Sequence, residues 1–211
     1  MKTAFIGLGG MGYSMAANLQ AAGLLNAVYN RTTEKADAFA KEYGVKAVST
    51  PGETAAEAQA IVICVSADDD VLAMVDALAP GLTDEHIVID CSTIASDTAR
   101  EAARRVAEQG AGFVDAPVSG GTEGAKNGTL SIMAGGDDAV FERAMPVLEA
   151  MGKSITHMGE VGTGQATKAV NQILCAGINQ AVCEGMRFAA ALDLPLDKVV
   201  DVVGSGAAGN W

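Results

Sequence analysis

Positive charge and aromatic side chains are scarce in this sequence, and each shortage narrows the possible classes of protein. Fourteen lysine and arginine residues stand against 26 aspartate and glutamate residues, for a net charge of −12. An acidic surface repels phosphate backbones and anionic lipids, so neither nucleic acid nor a membrane is an expected partner. Aromatic residues make up only 4% of the chain while glycine numbers 25. This composition favours an α/β sheet protein over a β-sandwich.

The sequence also lacks closely spaced cysteine pairs, metal-ligand spacing and long apolar runs. Its four cysteines lie in separate apolar stretches, which predicts reduced thiols of the protein core: Cys64, Cys91, Cys175 and Cys183. His86 and His157 are too far apart in sequence to suggest a metal site. No apolar run reaches the length of a membrane span, and glycines interrupt the N-terminal apolar stretch. We therefore expect a cytoplasmic protein without a bound metal.

The apolar pattern predicts alternating strands and helices over most of the chain. The segments Ala60–Ser66 and His86–Ser92 are continuous apolar runs rich in β-branched residues, as in parallel strands buried on both faces. After Gly164 the strand signal stops, and one long helical stretch follows from Gln165 to Leu192. The pattern predicts an α/β fold with a Rossmann-type, doubly wound, mainly parallel sheet over 1–163. Residues 164–211 are predicted to be the beginning of an all-helical domain.

A glycine-rich turn lies between the first predicted strand and the first predicted helix. It reads Gly7-Leu8-Gly9-Gly10-Met11-Gly12 and fits G-x-G-x-x-G. Glycine allows a tight turn, close approach of the backbone to a pyrophosphate and close contact of helix and strand. The free N–H groups and positive dipole end of the helix favour phosphate. The turn therefore predicts dinucleotide binding.

The second predicted strand ends without the acidic residue that commonly grips a ribose 2′-hydroxyl. Asn30, Arg31 and Thr32 stand there instead. A carboxylate would repel a 2′-phosphate, whereas these residues can donate hydrogen bonds to it. This stretch favours NADP, with NAD possible. Alternatively, Arg31 is a solvated loop residue that does not discriminate between NADP and NAD.

Two further segments carry residues suited to catalysis. Ser119, Gly120 and Gly121 follow a predicted strand, and a turn of this kind can bind an anion through backbone N–H groups and a hydroxyl. Lys168 and Asn171 are three positions apart on the long helix and share one face. A lysine within a cleft can act as a proton donor. Taken alone, a helical lysine is more often a solvated surface charge.

Together these segments resemble the β-hydroxyacid dehydrogenases, the family of 3-hydroxyisobutyrate dehydrogenase, tartronate semialdehyde reductase and glyoxylate/succinic semialdehyde reductase. The resemblance rests on three blocks in the family's order: Gly7–Leu19, Asp115–Gly136 and Gly162–Asn171. 6-Phosphogluconate dehydrogenase shares the Ser-Gly-Gly turn and the lysine. That enzyme normally has His-Asn where this chain has Val170-Asn171, so a decarboxylating role on a sugar phosphate is disfavoured.

The resemblance implies a role for each candidate residue. The turn from Gly7 to Gly12 would hold the pyrophosphate, with Asn30, Arg31 and Thr32 at the adenosine end. Val65 and Ser66 would follow the cofactor, and Thr93 would lie near the nicotinamide. Ser119, Gly120 and Gly121 would bind a substrate carboxylate. Lys168 would exchange a proton with the substrate oxygen, and Asn171 would orient the substrate and the lysine.

The resemblance thus predicts hydride transfer between NADP(H) and a small aldehyde-acid and β-hydroxyacid pair, in a homodimer or homotetramer. Three alternatives stay open: an NAD-dependent dehydrogenase of the 3-hydroxyisobutyrate type, an imine reductase on the same scaffold, and a non-catalytic NADP-binding regulatory domain. Family chains continue past the segment that matches Gly204–Trp211. We therefore expect the sequence to be a truncated form, with little or no activity in isolation.

Overall fold

A computed structural model describes residues 1–209. Its first compact unit, Met1–Lys168, is built around one mainly parallel sheet. The strands in chain order are β1 (Thr3–Ile6), β2 (Leu25–Tyr29), β3 (Lys46–Ala47), β4 (Ala60–Ile63), β5 (Ile87–Asp90), β6 (Gly112–Asp115), β7 (Val118–Ser119), β8 (Leu130–Gly136) and β9 (Gly152–His157).

Six of these strands run parallel in the order β3-β2-β1-β4-β5-β6, which is the Rossmann arrangement. The sheet then changes direction: β8 is antiparallel to β6 and β7, and β9 is parallel to β8. The predicted Rossmann-type, mainly parallel sheet is confirmed.

Alternating side chains build the core on both faces of the sheet. Phe5 and Val62 belong to one buried cluster, while their chain neighbours Ile6 and Ile61 belong to another. Side chains alternate across a strand with a period of two. A sheet covered by helices on both faces therefore needs apolar residues at every position, as in Ala60–Ile63, where all four residues are buried.

Helices connect the strands and cover the sheet. In chain order they are α1 (Gly12–Ala21), α2 (Thr33–Tyr43), α3 (Glu53–Glu57), α4 (Asp68–Leu78), α5 (Ser96–Ala107), α6 (Gly121–Asn127) and α7 (Asp138–Met151), with a short 3-10 helix at Ala79–Gly81. α2 ends where Gly44 adopts φ +68°, a left-handed conformation that suits glycine.

The second compact unit, Ala169–Trp211, is helical in the part that the structure describes. It contains most of α8 (Thr163–Ala191), which begins in the first unit, and α9 (Leu196–Gly204). The sequence pattern sets its boundary after residue 163, whereas the compact units divide between Lys168 and Ala169. Residues 210 and 211 of the predicted helical domain lie outside the described residues.

The region around Ser119 differs from its sequence-based description. The sequence GFVDAPV predicts a single strand over Gly112–Val118, and this prediction is wrong: β6 ends at Asp115, and β7 begins at Val118 and pairs with β8. Pro117 interrupts the ladder because proline has no backbone N–H. The glycine-rich segment after Ser119 continues into α6, which the pattern did not predict.

Within residues 1–209, no helix combines the length and apolar character that crossing a bilayer requires. Over the same residues, no three histidine, cysteine, aspartate or glutamate side chains are grouped so that they could hold a metal ion.

Candidate active site

A pocket of about 250 Å³ lies at the carboxyl ends of β1, β2 and β4. Ligands of doubly wound sheets bind at this edge. Seven of the residues predicted to bind a cofactor line it: Gly7, Gly9, Asn30, Arg31, Thr32, Val65 and Ser66. The wall also includes six residues that were not predicted from the sequence: Ile6, Tyr29, Lys35, Cys64, Asp70 and Met74. Lys35 lies four positions after Arg31, a spacing that could have suggested it as a second basic residue.

The fold itself requires two glycines of the turn. Gly7 has φ +102°, and a Cβ there would lie 2.2 Å from the Cys64 carbonyl oxygen. A Cβ on Gly12 would lie 1.9 Å from the Gly7 carbonyl oxygen. Both distances are far below contact distance, so the tight turn and the approach of α1 to β1 exclude a side chain at both positions.

Gly9 and Gly10 are glycines for another reason. Both are exposed, and a Cβ on either would meet no atom within 4 Å. Packing therefore does not explain the missing side chain. Gly9 lines the pocket beside the N-terminus of α1, where the first N–H groups of a helix have no intrahelical acceptor. An open cradle of this kind fits a pyrophosphate.

The remaining residues of the turn face the protein. The Leu8 side chain is buried in the core, and Met11 packs against the same cluster. The Leu8 N–H donates to Asn30 Oδ1 at 2.9 Å, and Asn30 Nδ2 donates to the Thr32 carbonyl oxygen. Asn30 thereby fastens the glycine turn to the turn after β2.

Arg31 extends into solvent, with 87% of its side chain exposed. Its guanidinium lies 3.4 Å from a carboxylate oxygen of Asp70, which also lines the pocket. Exposed ion pairs of this length are weak. Arg31 can therefore leave Asp70 for a more highly charged anion.

The other wall of the pocket is formed by Cys64 and Val65. Burial raises the pKa of the Cys64 thiol to about 12, and the nearby Asp90 carboxylate acts in the same direction. Cys64 is therefore a protonated wall residue at neutral pH and not a nucleophile. The Val65 N–H donates to Ser92 Oγ at 3.0 Å, which links the pocket to the loop 91–95. We call this loop, which follows β5, the Thr93 loop; Thr93 itself is exposed.

Ser119 and the two glycines after it form the beginning of α6. Ser119 is half-buried at the end of β7, and Gly120 and Gly121 are exposed. Their φ angles are +132° and +62°, in a region that side chains rarely tolerate. The sharp turn between β7 and α6 thus requires glycine.

Asp115 fixes the first turn of α8 to the end of β6. Its two carboxylate oxygens accept from the N–H groups of Gly162 at 2.7 Å and Gln165 at 2.8 Å. Burial raises the pKa of Asp115 to about 6, although these hydrogen bonds and the Arg100 charge lower it. Sequence reasoning missed this role, because only the fold brings residues 115 and 165 together.

Asp90 is a second buried acid at the neighbouring strand end, with no exposed surface. Its Oδ1 accepts from the Ser92 N–H at 3.0 Å, and its Oδ2 has no hydrogen-bond partner among the described residues. Burial raises the pKa of Asp90 to about 6, against the Ser92 hydrogen bonds, and the Asp115 charge adds to the increase.

Lys168 lies on α8, one turn after the Asp115 contacts, and only 8% of it is exposed. A buried lysine is uncommon, because burial penalises the charged form. Asn171 is half-buried, and its amide donates to Gln172 Oε1 at 3.0 Å. The sequence analysis allowed a solvated surface charge at Lys168, and the burial does not agree with that alternative.

Comparisons with known proteins cover the whole chain. The family profile described as the NAD binding domain of 6-phosphogluconate dehydrogenase matches residues 2–159. The profile described as the NAD-binding domain of NADP-dependent 3-hydroxyisobutyrate dehydrogenase matches residues 162–211.

Similar proteins include an uncharacterized oxidoreductase of Shewanella frigidimarina, 42% identical over 100% of this chain and 73% of its own. The 2-hydroxy-3-oxopropionate reductase of Escherichia coli is 39% identical over 90% of this chain and 65% of its own. The solved 3-hydroxyisobutyrate dehydrogenase of Mycobacterium tuberculosis with L-serine has a TM-score of 0.90 and 34% identity, covering 100% of this chain and 72% of that one.

The Rossmann sheet, the glycine turn and these matches define an NAD(P)-dependent oxidoreductase that acts on CH–OH groups. The chain belongs to the β-hydroxyacid dehydrogenase family. The resemblance stated from the sequence is therefore confirmed.

Proposed function

We propose that the protein transfers hydride between NADP(H) and a small aldehyde-acid and β-hydroxyacid pair. The observation that carries this proposal is the buried Lys168, held one turn beyond the end of β6 by the contacts of Asp115 with Gly162 and Gln165. Cofactors bind at the carboxyl ends of the strands of a Rossmann sheet, so a lysine at this edge can donate a proton to a substrate beside the nicotinamide.

The cofactor would bind along the pocket wall. The open cradle at Gly9 and the N-terminus of α1 would hold the pyrophosphate, while Val65 and Ser66 would line its path. Thr93, whose loop is linked to Val65 through Ser92, would lie at the nicotinamide end. When bound in its reduced form, the nicotinamide supplies the hydride.

Selectivity for NADP would come from the turn after β2. No carboxylate stands at position 30, and Arg31, Thr32 and Lys35 line the pocket. Two cations and a hydroxyl can neutralise and bind a 2′-phosphate. The match of residues 162–211 to the profile named for an NADP-dependent enzyme supports this preference.

The substrate would be held by its carboxylate. Ser119 would offer a hydroxyl, and the exposed residues Gly120 and Gly121, at the beginning of α6, would offer backbone N–H groups. Asn171, on the same face of α8 as Lys168 by spacing, would orient the substrate. The 2-hydroxy-3-oxopropionate named for one relative is a small aldehyde-acid and fits such a site.

Lys168 would balance the charge that hydride transfer creates. As the carbonyl carbon gains the hydride and its two electrons, the carbonyl oxygen becomes an alkoxide. The Lys168 ammonium would give this oxygen a proton, so that the substrate leaves as an alcohol and Lys168 is left as a neutral amine. In the oxidative direction the neutral amine would take the proton back.

The test is a panel of short aldehyde-acids, β-hydroxyacids and cyclic imines with NADPH and NADH, using the protein at its full natural length. We expect turnover of an aldehyde-acid with NADPH. Lys168→Ala should reduce kcat by about 10²- to 10⁴-fold, the usual contribution of a general acid. NADPH affinity should change little.

Lys153→Ala is the matched control, because Lys153 is an exposed lysine on β9. It should retain wild-type turnover. Equal activity of the Lys168→Ala and Lys153→Ala variants would refute the catalytic role. NADPH binding without turnover of any panel member would favour the regulatory domain.

An NAD-dependent dehydrogenase of the 3-hydroxyisobutyrate type is the second candidate. The structural similarity to the enzyme named for 3-hydroxyisobutyrate favours it. The same panel separates the two candidates: this one predicts faster oxidation of 3-hydroxyisobutyrate with NAD than reduction of any aldehyde-acid with NADPH.

A further inference from the structure

We infer that Gln165 is a positioning residue that holds the backbone at Thr93 in a fixed position relative to the helix that carries Lys168. The inference rests on the proposed function and adds a residue to which neither the motifs nor the family resemblance assigned a role. Gln165 is 2% exposed, so it acts through the Thr93 loop without forming a surface of the pocket.

The Gln165 carboxamide bonds to the backbone on both sides of Thr93. Its Nε2 donates to the Ser92 carbonyl oxygen at 2.8 Å, and its Oε1 accepts from the Ile94 N–H at 3.2 Å. The two bonds need a donor and an acceptor at the two ends of one planar group. Glutamine supplies both, and together they fix the path of the chain through residue 93.

The backbone of Gln165 connects this clamp to the sheet. Its N–H donates to Asp115 Oδ2 at 2.8 Å, within the first turn of α8. Lys168 follows three positions later, about one turn further along the same helix. One residue thus links the helix that carries Lys168 to the loop that carries Thr93.

The Thr93 loop is in turn joined to the pocket wall through Ser92. Its Oγ accepts from the Val65 N–H, and its own N–H donates to Asp90. A shift of the Ser92 backbone would therefore move both Thr93 and the wall at Val65. Misplacement of reacting groups by about 1 Å can cost about 100-fold in rate, so a clamp at this position affects turnover.

Gln165→Glu provides a sharp test because the two side chains have nearly the same shape. An ionised carboxylate can accept from Ile94 but repels the Ser92 carbonyl oxygen. A protonated carboxyl group has a donor and an acceptor and restores both bonds. The charged groups on the elements bonded to this clamp are Asp115 on β6, which accepts from the Gln165 N–H, Asp90 on β5, which accepts from Ser92, and Asp68 on α4, which accepts from Ala95. Arg100 on α5 lies beside Gly162, and Lys168 follows on α8.

The experiment measures kcat, KM and NADPH affinity for wild type, Gln165→Glu and Gln165→Met between pH 5.5 and 8.5. At pH 8 we expect kcat to fall about 10- to 100-fold in both variants, with NADPH affinity within about threefold of wild type. As the pH falls, the ratio of Gln165→Glu to wild-type kcat should rise toward one. The ratio for Gln165→Met should stay flat.

Gln109→Glu is the matched control, since Gln109 is exposed after α5. The ratio of Gln109→Glu to wild-type kcat should be near one at every pH. Should Gln165→Met fail to fold, the pH dependence of Gln165→Glu alone carries the test. A wild-type kcat for Gln165→Met at pH 8, or a Gln165→Glu ratio that is low at every pH, overturns the positioning role.

Failure of this inference can be told apart from failure of the proposed function. Full activity of Lys168→Ala, or no turnover by wild type, refutes the function. Loss of activity in Lys168→Ala together with wild-type behaviour of both Gln165 variants refutes only the clamp.

Discussion

The glycine turn shows how neighbouring residues of one motif can be constrained by different partners. At Gly7 and Gly12 the constraint comes from the protein, because a Cβ would overlap backbone oxygen atoms. At Gly9 the space is open, so packing within the protein imposes no such constraint, and we propose that a bound pyrophosphate does. The motif therefore separates into residues needed for folding and residues proposed to bind the cofactor.

Alanine substitutions should reveal this division. Gly12→Ala should destabilise the protein by at least about 2 kcal/mol, since overpacking against rigid backbone is costly. Gly9→Ala should leave the free energy of unfolding within about 0.5 kcal/mol of wild type. It should weaken NADPH binding about tenfold or more. Urea unfolding and fluorescence titration with NADPH measure the two effects, and similar losses of stability in both variants would contradict the division.

Asp90 offers a prediction about the pH dependence of stability. Burial raises the pKa of Asp90 to about 6 from an ordinary value of 3.8, so the folded protein binds this proton more tightly than the unfolded chain. The stability that the proton contributes is fully present below about pH 4 and is lost as the pH rises through 6.

Asp90→Asn should therefore be more stable than wild type above pH 6, by on the order of 1 to 3 kcal/mol. The amide oxygen can still accept from Ser92, and the amide nitrogen replaces an oxygen without a partner among residues 1–209. The advantage should vanish near pH 4. Urea unfolding from pH 4 to 8 tests this, with the exposed Asp37→Asn as the control; a wild type more stable at pH 7 would be the opposite result.

At the scale of elements, the turn between β2 and α2 is the segment proposed to select the cofactor. It places Arg31, Thr32 and Lys35 on one wall of the pocket, opposed by the Asp70 carboxylate at the beginning of α4. The pair of Arg31 and Asp70 is weak and mostly solvated, so either partner can be altered with little effect on folding.

Arg31→Ala should weaken NADPH binding by about 5- to 50-fold, because it removes a charge-assisted hydrogen bond to the 2′-phosphate. NADH binding should change less than about twofold. Asp70→Asn should act in the opposite direction or leave NADPH affinity unchanged. Lys41→Ala, on the exposed side of α2, is a neutral control. Titrations with both cofactors decide the matter, and equal weakening of NADPH and NADH would disprove the assigned selectivity.

Elements with strong local signals could be predicted from the sequence. The apolar runs at β4 and β5 and the strand–glycine–helix order of the first motif predict the parallel sheet, because these signals depend on neighbouring residues. α6 was missed because its sequence, from Gly121 to Asn127, contains two glycines and little apolar periodicity.

Parts of the site depend on contacts between distant residues. The bonds of Gln165 span 71 and 73 positions, and the Asp115 contacts span 47 and 50. No local sequence pattern predicts hydrogen bonds between residues so far apart in the chain. Lys168 shows the same limitation: spacing assigns it to a helix, but its burial follows from the packing of the whole first unit.

At the scale of the whole molecule, apolar surface is concentrated in the second unit. Ile173, Phe188 and Val202 are each more than two-thirds exposed. Exposed apolar surface that is concentrated in one region often marks an interaction site. The homodimer or homotetramer predicted from the family resemblance would bury such surface.

Phe188→Ser should therefore lower the mass of the protein in solution, as measured by sedimentation at micromolar concentration. NADPH affinity should change little, since the residues proposed to hold the cofactor all belong to Met1–Lys168. Lys198→Ser, on α9, is a polar control that should keep the wild-type mass. Identical masses for all three proteins would show that Phe188 does not contribute to self-association.

The outer parallel strand of the sheet, β3, has a consequence for handling the protein. It is two residues long, and the Lys46 ammonium pairs with the Glu57 carboxylate. Unpaired strand edges recruit other chains, and short, charged edges resist this. β3 therefore offers too little backbone to seed intermolecular β-sheet growth, and refolding at high concentration should not give fibrillar aggregates through this side of the sheet.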